Sequence, residues 1–355
     1  MTDFLALLDF IGRAAASAIG IPIVVWTLVA LIVLGMLRLM PGRPLMQYRM
    51  RTGLLFALPL GIGVALLDVN LGRLLLPADS MSWASPMLAP LHVDPAQADA
   101  TASSSPEWRS SFVGIGLLAV GAGSAALVAC TRLACDAWAL RQFRTSHPPN
   151  APTAMQKRVD AMARTMGIRR SVSVCCAHDI AVPMTVGGWR PCLFLPASLW
   201  DEDSDDTAAF DMAVTHELIH VQRFDYTVHA LVRLVRALCV AHPLVGWCAR
   251  SIATYREQAC DAAVLENDHV QRKDYATLLL QWAQRTTAAP GSALGLAYSS
   301  STLKSRISHM TSLNAVSRSR PFVSIAISAV LLVGTFALMA CSDVGMQESP
   351  DPDAP

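Results

Sequence analysis

Charge is what this 355-residue chain has least of: Asp, Glu, Lys and Arg make up 15% of it, against about a quarter in an average soluble domain. That scarcity excludes a disordered chain and a charged coiled coil, both of which depend on solvated charge. Neither sign prevails. With 28 Lys and Arg against 27 Asp and Glu, the formal net charge is +1, which leaves no broad basic face for direct nucleic-acid binding. The nine cysteines lack the paired spacing of a zinc ribbon. Eight lie between Cys130 and Cys260, and only Cys341 stands apart, a pattern that suits a reducing compartment. What the chain has in excess is apolar residues, at 53%. Such a surplus belongs in membrane spans.

Four stretches carry it: Ala14 to Leu37, Gly53 to about Leu76 with Asp68 near its end, Ser110 to Thr131, and Pro321 to Ser342. About 20 helical residues cross a hydrocarbon layer of about 30 Å, so the first, third and fourth are long enough outright, and the second spans with its Asp68 end near an interface. Arginine sets the orientation. Arg38, Arg43, Arg49 and Arg51 lie between spans one and two; Arg132, Arg141 and Arg144 follow span three; Lys304, Arg306, Arg318 and Arg320 precede span four. The loop after span two instead holds Asp79, Asp94, Asp99 and Glu107 against a lone Arg109. The expected fold class is a multi-pass α-helical membrane protein of four spans. A cytoplasmic α+β domain sits between spans three and four. The divisions are 1–76 (spans one and two with a basic cytoplasmic loop), 77–109 (outer loop) and 110–131 (span three), then 132–320 (cytoplasmic domain), 321–342 (span four) and 343–355 (a short acidic outer tail). Both termini are expected outside a cell inner membrane.

Within 132–320, His147-Pro148-Pro149-Asn150-Ala151-Pro152 breaks the helix that leaves span three. Thr153 is placed to cap the next helix, whose Met155, Val159, Met162 and Met166 recur at core spacing before Gly167. Val172, Val174 and Cys176 alternate as in a strand. Pro183 to Val186, a Gly187-Gly188 turn and Cys192 to Leu195 read as two more strands. Residues 201 to 206 are an acidic solvated loop or helix start, and 286 to 302 a polar linker open to self-cleavage.

Chemistry begins at His216-Glu217-Leu218-Ile219-His220. Residues four apart share a helical face, so both imidazoles can reach one ion, and Zn²⁺ takes neutral imidazole readily. With nine histidines in the chain, chance yields about 0.004 such motifs. Glu217, beside the first histidine, is placed to take a proton from attacking water as general base. A helix from Asp225 to about Val240 should break at His242-Pro243, and the next should run to about Leu265. On it, Glu257 is the candidate third metal ligand, and Asp261, one turn on, would orient a ligating histidine. His229 and His242 are rival ligands. Tyr226, His229, Tyr255 and Arg256 are candidates to stabilise the reacting oxyanion.

The run from His216 to Leu265, with His242-Pro243, Trp247, Arg256-Glu257 and Cys260-Asp261, resembles the BlaR/MecR-type integral-membrane metallopeptidases. Val186-Gly187-Gly188-Trp189-Arg190-Pro191 through Leu195-Pro196 is similar to the family's signature upstream of its zinc helix. The resemblance implies a zincin-like (gluzincin) domain facing the cytoplasm, with Zn²⁺ on His216, His220 and Glu257. Studied members sense β-lactams outside and cut a transcriptional repressor inside. Only about a dozen residues follow span four here, so the outer penicillin-binding domain, and with it β-lactam sensing, is not expected.

The expected function is a zinc endopeptidase that cuts a cytoplasmic or membrane-associated protein in regulated signalling, a transcriptional repressor or itself. Its expected partners are a protein substrate and membrane lipid. Thr185, Val186 and Gly187 are the candidate substrate-binding strand, since extended peptides pair with sheet edges in such enzymes; an ordinary core strand is the alternative. A non-catalytic signalling scaffold with a structural zinc site is the other class of function. An intact Glu217 argues against it, because a structural site needs no carboxylate there.

Overall fold

The computed structural model describes residues 2–39, 43–75, 107–200, 207–267, 270–288 and 300–312. Most are helical. The expected fourth span at 321–342, the tail at 343–355, the acidic run 201–206 and all but the end of the outer loop lie outside the described residues.

The first apolar stretch is not one straight helix. Helix α1 (Thr2–Ala15) gives way to a π-turn (Ala16–Gly20), and α2 (Ile21–Arg38) follows with Pro22 in its first turn. Proline has no amide hydrogen to return to residue 18 and its ring crowds that carbonyl, so the ladder widens there. The signal was in the sequence, in the middle of the expected span. Helix α3 (Pro44–Leu75) contains the second stretch from Gly53 as far as the described residues reach. Trp26 of α2 is fully buried and donates its indole N–H to the Leu54 carbonyl of α3 at 2.8 Å.

Helix α4 (Glu107–Ser146) runs unbroken for 40 residues. Its Phe112–Ser146 portion is the one described helix long and apolar enough to cross a membrane, and α2 carries a shorter apolar stretch from Pro22 to Arg38. At about 1.5 Å per residue, α4 is about twice as long as a hydrocarbon layer is thick. Its far end therefore projects well past the expected span of 110–131 and reaches the rest of the protein. Phe143 packs on Phe194 with ring centroids 5.2 Å apart, and Arg144 donates to the Arg190 carbonyl at 2.8 Å. Helices α1 and α4 cross with their backbones touching. A Cβ on Gly12 would run into the Phe112 carbonyl oxygen, and one on Gly116 into that of Leu8. Close crossings at small residues are how helices associate where lipid replaces water.

Past the Pro-rich break, α5 (Thr153–Thr165) buries Met155, Val159 and Ala163. Its N-cap is Pro152, and no side chain caps it, so Thr153 is the first helical residue rather than the cap. The sheet has the order β1-β3-β2. Strand β1 (Ser173–Ala177) is parallel to β3 (Cys192–Pro196), and β2 (Met184–Val186) is antiparallel to it. All five residues of β3 are buried, as an unbroken apolar run at the sheet centre should be. Gly187, just after β2, has φ 102° and would bring a Cβ within 2.7 Å of the Arg190 carbonyl oxygen, so the turn requires glycine.

Four helices complete the domain: α6 (Ala208–Gln222), α7 (Asp225–Leu238), α8 (Pro243–Val264) and α9 (Arg272–Ala288). A further helix, α10 (Ser300–Ser312), follows the expected linker of 286–302, whose two ends are therefore helical. One face of α6 packs on the sheet and α5 through Phe210, Val214, Leu218 and Val221. The opposite face meets α8, α9 and α10 through Met212, Ala213 and Ile219. Helix α8 in turn shares a core with α2 and α3 through Val245, Cys248 and Ile252. The metal-motif helix is thus held in the interior, with α2 and α3 packed behind its neighbour α8.

Candidate metal centre

His216 and His220 lie one turn apart on α6, with ring centroids 4.9 Å apart and planes at 85°. Each ring is held from behind through Nδ1. For His216 the partner is the Tyr275 hydroxyl of α9, at 2.9 Å, and that hydroxyl donates to Oδ1 of Asp261 at 2.8 Å. With its one proton given to Asp261, Tyr275 can only accept from His216, so Nδ1 carries the imidazole hydrogen. For His220 the partner is Oδ2 of Asp225 at 2.8 Å. A carboxylate also only accepts, which fixes the same tautomer. Both Nε2 atoms are left facing forward.

They converge on Glu257 of α8, whose Oε2 lies 3.6 Å from Nε2 of His216 and 3.8 Å from Nε2 of His220. The other oxygen, Oε1, accepts from Arg256 at 3.0 and 2.7 Å. Burial works against the Glu257 charge, but Arg256, His220, His216 and Arg306 hold its carboxyl well below the usual carboxylate range. Asp225 follows the same pattern. Burial raises it, and the His220 hydrogen bond with Arg223 nearby brings it below its ordinary value. Two imidazoles and one carboxylate, each oriented by a further hydrogen bond, make a donor set that suits a zinc ion.

Cys260 offers a competing set, since its sulfur and atoms of His216 and His220 lie within 4.8 Å of one another. The geometry disfavours it. Cys260 Sγ approaches His220 at Nδ1, 3.4 Å away, the nitrogen that Asp225 already occupies. Burial also pushes the thiol up, away from the thiolate that binds metals. Glu257 sits on the open side and Cys260 behind it.

Asp261 is fully buried, and it reaches His216 chiefly through Tyr275; its own Oδ1 is 3.5 Å from the ring. Arg306 of α10, also buried, donates to both Asp261 oxygens at 2.8 and 2.6 Å. Tyr275, Asp225 and Arg306 escaped the sequence reading. Asp225 stands only five residues after His220 but comes back to it because Phe224 is left-handed, at φ 57° and ψ 31°, and reverses the chain between α6 and α7. Glycine or asparagine would have signalled that turn; phenylalanine does not.

The front of the centre opens on a cleft lined by Met184, Thr185, Gly187, Glu217, Tyr226, His229 and Arg256, together with His216, His220 and Glu257. Glu217 is buried, and its Oε2 accepts from the Thr185 hydroxyl at 2.8 Å. Strand β2 pairs on one side only, so Thr185, Val186 and the following Gly187 lie at a sheet edge beside the cleft, with Val186 itself buried. Of the four oxyanion candidates, Tyr226, His229 and Arg256 line the cleft. Tyr255 does not: its ring lies under the Arg51 guanidinium at 4.4 Å. Nor is His242 at the centre, since Nε2 is 3.0 Å from the Thr27 hydroxyl and the ring packs edge-on to Trp26.

A protein-family model, BlaR1 peptidase M56, matches residues 18–310. No curated protein matches the chain.

Proposed function

The chain belongs to the M56 peptidase family, whose members are membrane-associated metallopeptidases, and on that premise we propose that it is a zinc endopeptidase with its active centre at the cytoplasmic face of the inner membrane. One observation carries the reading: two imidazole nitrogens, 3.6 and 3.8 Å from one oxygen of the Glu257 carboxylate, face the cleft that Glu217 also lines. His216, His220 and Glu257 would hold the ion. When bound, zinc acts as a Lewis acid toward a carbonyl oxygen and lowers the pKa of water.

The chain's own residues do the rest. An extended segment of the substrate protein lies along β2, adding a strand by backbone hydrogen bonds. Glu217 takes a proton as water adds to the scissile carbonyl carbon, then returns it to the amine nitrogen as the C–N bond breaks. Thr185 holds the carboxylate in place. Tyr226, His229 or Arg256 donates to the oxygen that gains charge. The substrate is a cytoplasmic or membrane-associated protein, with a transcriptional repressor or the chain itself as candidates. Four spans, an outer loop at 77–109 and outer termini complete the layout, argued from arginine placement.

Glu217→Gln keeps the shape of the base but cannot accept the proton. Wild type and Glu217→Gln, expressed side by side in membranes, should differ in cleavage of the protein and of candidate repressors by about 10²-fold to 10⁴-fold or more. Both should retain zinc. Equal fragments at equal rates would remove Glu217 as base and favour the scaffold reading.

A further inference from the structure

The hydrogen bond that orients His220 is itself held from a helix far away in the chain. Asp225 gives Oδ2 to His220 Nδ1 at 2.8 Å, and its Oδ1 accepts from the Tyr48 hydroxyl at 2.9 Å. Tyr48 lies in the second turn of α3, 177 residues upstream of Asp225, and both side chains are buried. Arg223 closes the group: its guanidinium is 2.9 Å from Asp225 Oδ2 and 4.9 Å from the centroid of the Tyr48 ring. Tyr48 is therefore placed to act on one oxygen of the carboxylate while its ring supports the cation on the other. Helix α3 continues from there into the charge-free stretch that begins at Gly53. It also packs along α8, which carries Glu257, with Arg51 over the Tyr255 ring and the Cys248 thiol 3.7 Å from the Arg51 carbonyl.

We propose that Tyr48 is a positioning residue for the metal centre, through which α3 holds Asp225 in the orientation that points His220 Nε2 at the ion. The proposal rests on the reading that His216, His220 and Glu257 bind the metal. A carboxylate presents about four lone-pair directions, and rotating it about its own axis costs little unless both oxygens are engaged. With Tyr48 on Oδ1, Oδ2 is fixed toward Nδ1, and the imidazole ring is fixed with it. Without Tyr48 the carboxylate keeps Arg223 and His220, but it is free to turn. Because the donor belongs to α3, a displacement of that helix relative to α7 acts directly on a metal ligand.

Residues that orient metal ligands typically contribute 10-fold to 100-fold in metal affinity. Tyr48 stands one bond further out, so the low end applies. The test titrates Zn²⁺ against a chromogenic chelator, using the full-length chain in detergent. Tyr48→Phe keeps the ring over Arg223 and deletes only the hydroxyl. It should weaken Zn²⁺ binding to the folded protein by about tenfold; the loss of a buried hydrogen bond to a charged group also lowers the unfolding temperature of the metal-free protein. Asp225→Asn should weaken binding more, and adding Tyr48→Phe to it should cost nothing further, because the hydroxyl acts through that carboxylate. Wild-type affinity in Tyr48→Phe, or additive losses in the double variant, would each overturn the proposal. Wild-type affinity in His220→Ala would instead overturn the ligand assignment beneath it.

Discussion

The Thr185 hydroxyl donates to Oε2 of Glu217 at 2.8 Å, tying the edge strand of the sheet to the candidate base on the metal-motif helix. A strand expected to bind substrate thus has a second task, and a proline at 185 would disturb both at once. Thr185→Val separates them, since it is nearly isosteric and keeps the strand. A hydrogen bond to a charged group is worth about 1.5–3 kcal/mol, so kcat should fall by about 10-fold to 100-fold with zinc content unchanged. Thr185→Ser should recover most of it. Wild-type kcat in the valine variant would mean that Glu217 is oriented by something else.

Behind the centre, Arg306 is matched to two buried carboxylates. It donates to both oxygens of Asp261 and lies 3.6 Å from Glu257 Oε2. Removing one partner of a buried ion pair costs about 3–5 kcal/mol, because the remaining charge has no solvent to turn to. Arg306→Met should lower stability by about that amount, measured by chemical unfolding in detergent. Adding Asp261→Asn should return part of the loss, since it removes the stranded charge. A stable Arg306→Met protein would show that α10 is not required to close the site.

His229 gives the pH dependence. Burial, reinforced by Arg256 and Arg233, pulls its imidazole down from 6.5 to about 4. The unfolded chain then binds a proton before the folded one does, so unfolding gains on folding as pH drops. This contribution is complete above about pH 6.5, falls away between 6.5 and about 4, and adds no slope at higher pH. Unfolding of the metal-free protein across that range should be less steep in pH for His229→Gln than for wild type. Identical slopes would place His229 in solvent.

Local pattern made much of this legible in the sequence. The His216–His220 spacing, the Pro243 helix start, the Gly187-Gly188 turn and the apolar run at β3 each depend on residues within a few positions of one another. The parts that were missed depend on distance in the chain. Tyr275 lies 59 residues from the histidine it holds, Arg306 45 residues from Asp261, and Tyr48 177 residues from Asp225. No periodicity connects such pairs; only packing does. Phe224 is a separate case, a local turn made by a residue whose type does not signal it. The break at Pro22 is the reverse, a local signal outweighed by the long apolar run around it.

Membrane layout has its own test, because arginine placement predicts which loops stay inside. Alkaline phosphatase folds only outside the reducing cytoplasm. Fusions after Asp94 and Asp353 should therefore be active, and fusions after Arg43 and Asn150 inactive. Asn150 is the informative junction. It follows directly on α4 and donates to the Cys176 carbonyl beside the sheet, so an active fusion there would put the metal centre on the wrong side of the membrane. An inactive fusion at Asp353 would remove the fourth span.

The ligand set decides between two arrangements that share both histidines. In one, Glu257 Oε2 faces the two Nε2 atoms; in the other, Cys260 Sγ approaches His220 at Nδ1. An imidazole cannot offer Nδ1 to a metal while that nitrogen donates to Asp225 at 2.8 Å, so the first arrangement keeps the hydrogen bond and the second must break it. Purified protein should hold about one zinc per chain, as a site of two histidines and one carboxylate with an open position does. His216→Ala, His220→Ala and Glu257→Ala should each lose the metal, whereas Cys260→Ser should keep it. Cobalt separates the cases a second time, because a thiolate ligand adds an intense charge-transfer band in the near ultraviolet and a His₂Glu set gives none. Zinc retained in Glu257→Ala but lost in Cys260→Ser, with that band in the wild type, would move the third ligand to the sulfur and leave Glu257 as the partner of Arg256 alone.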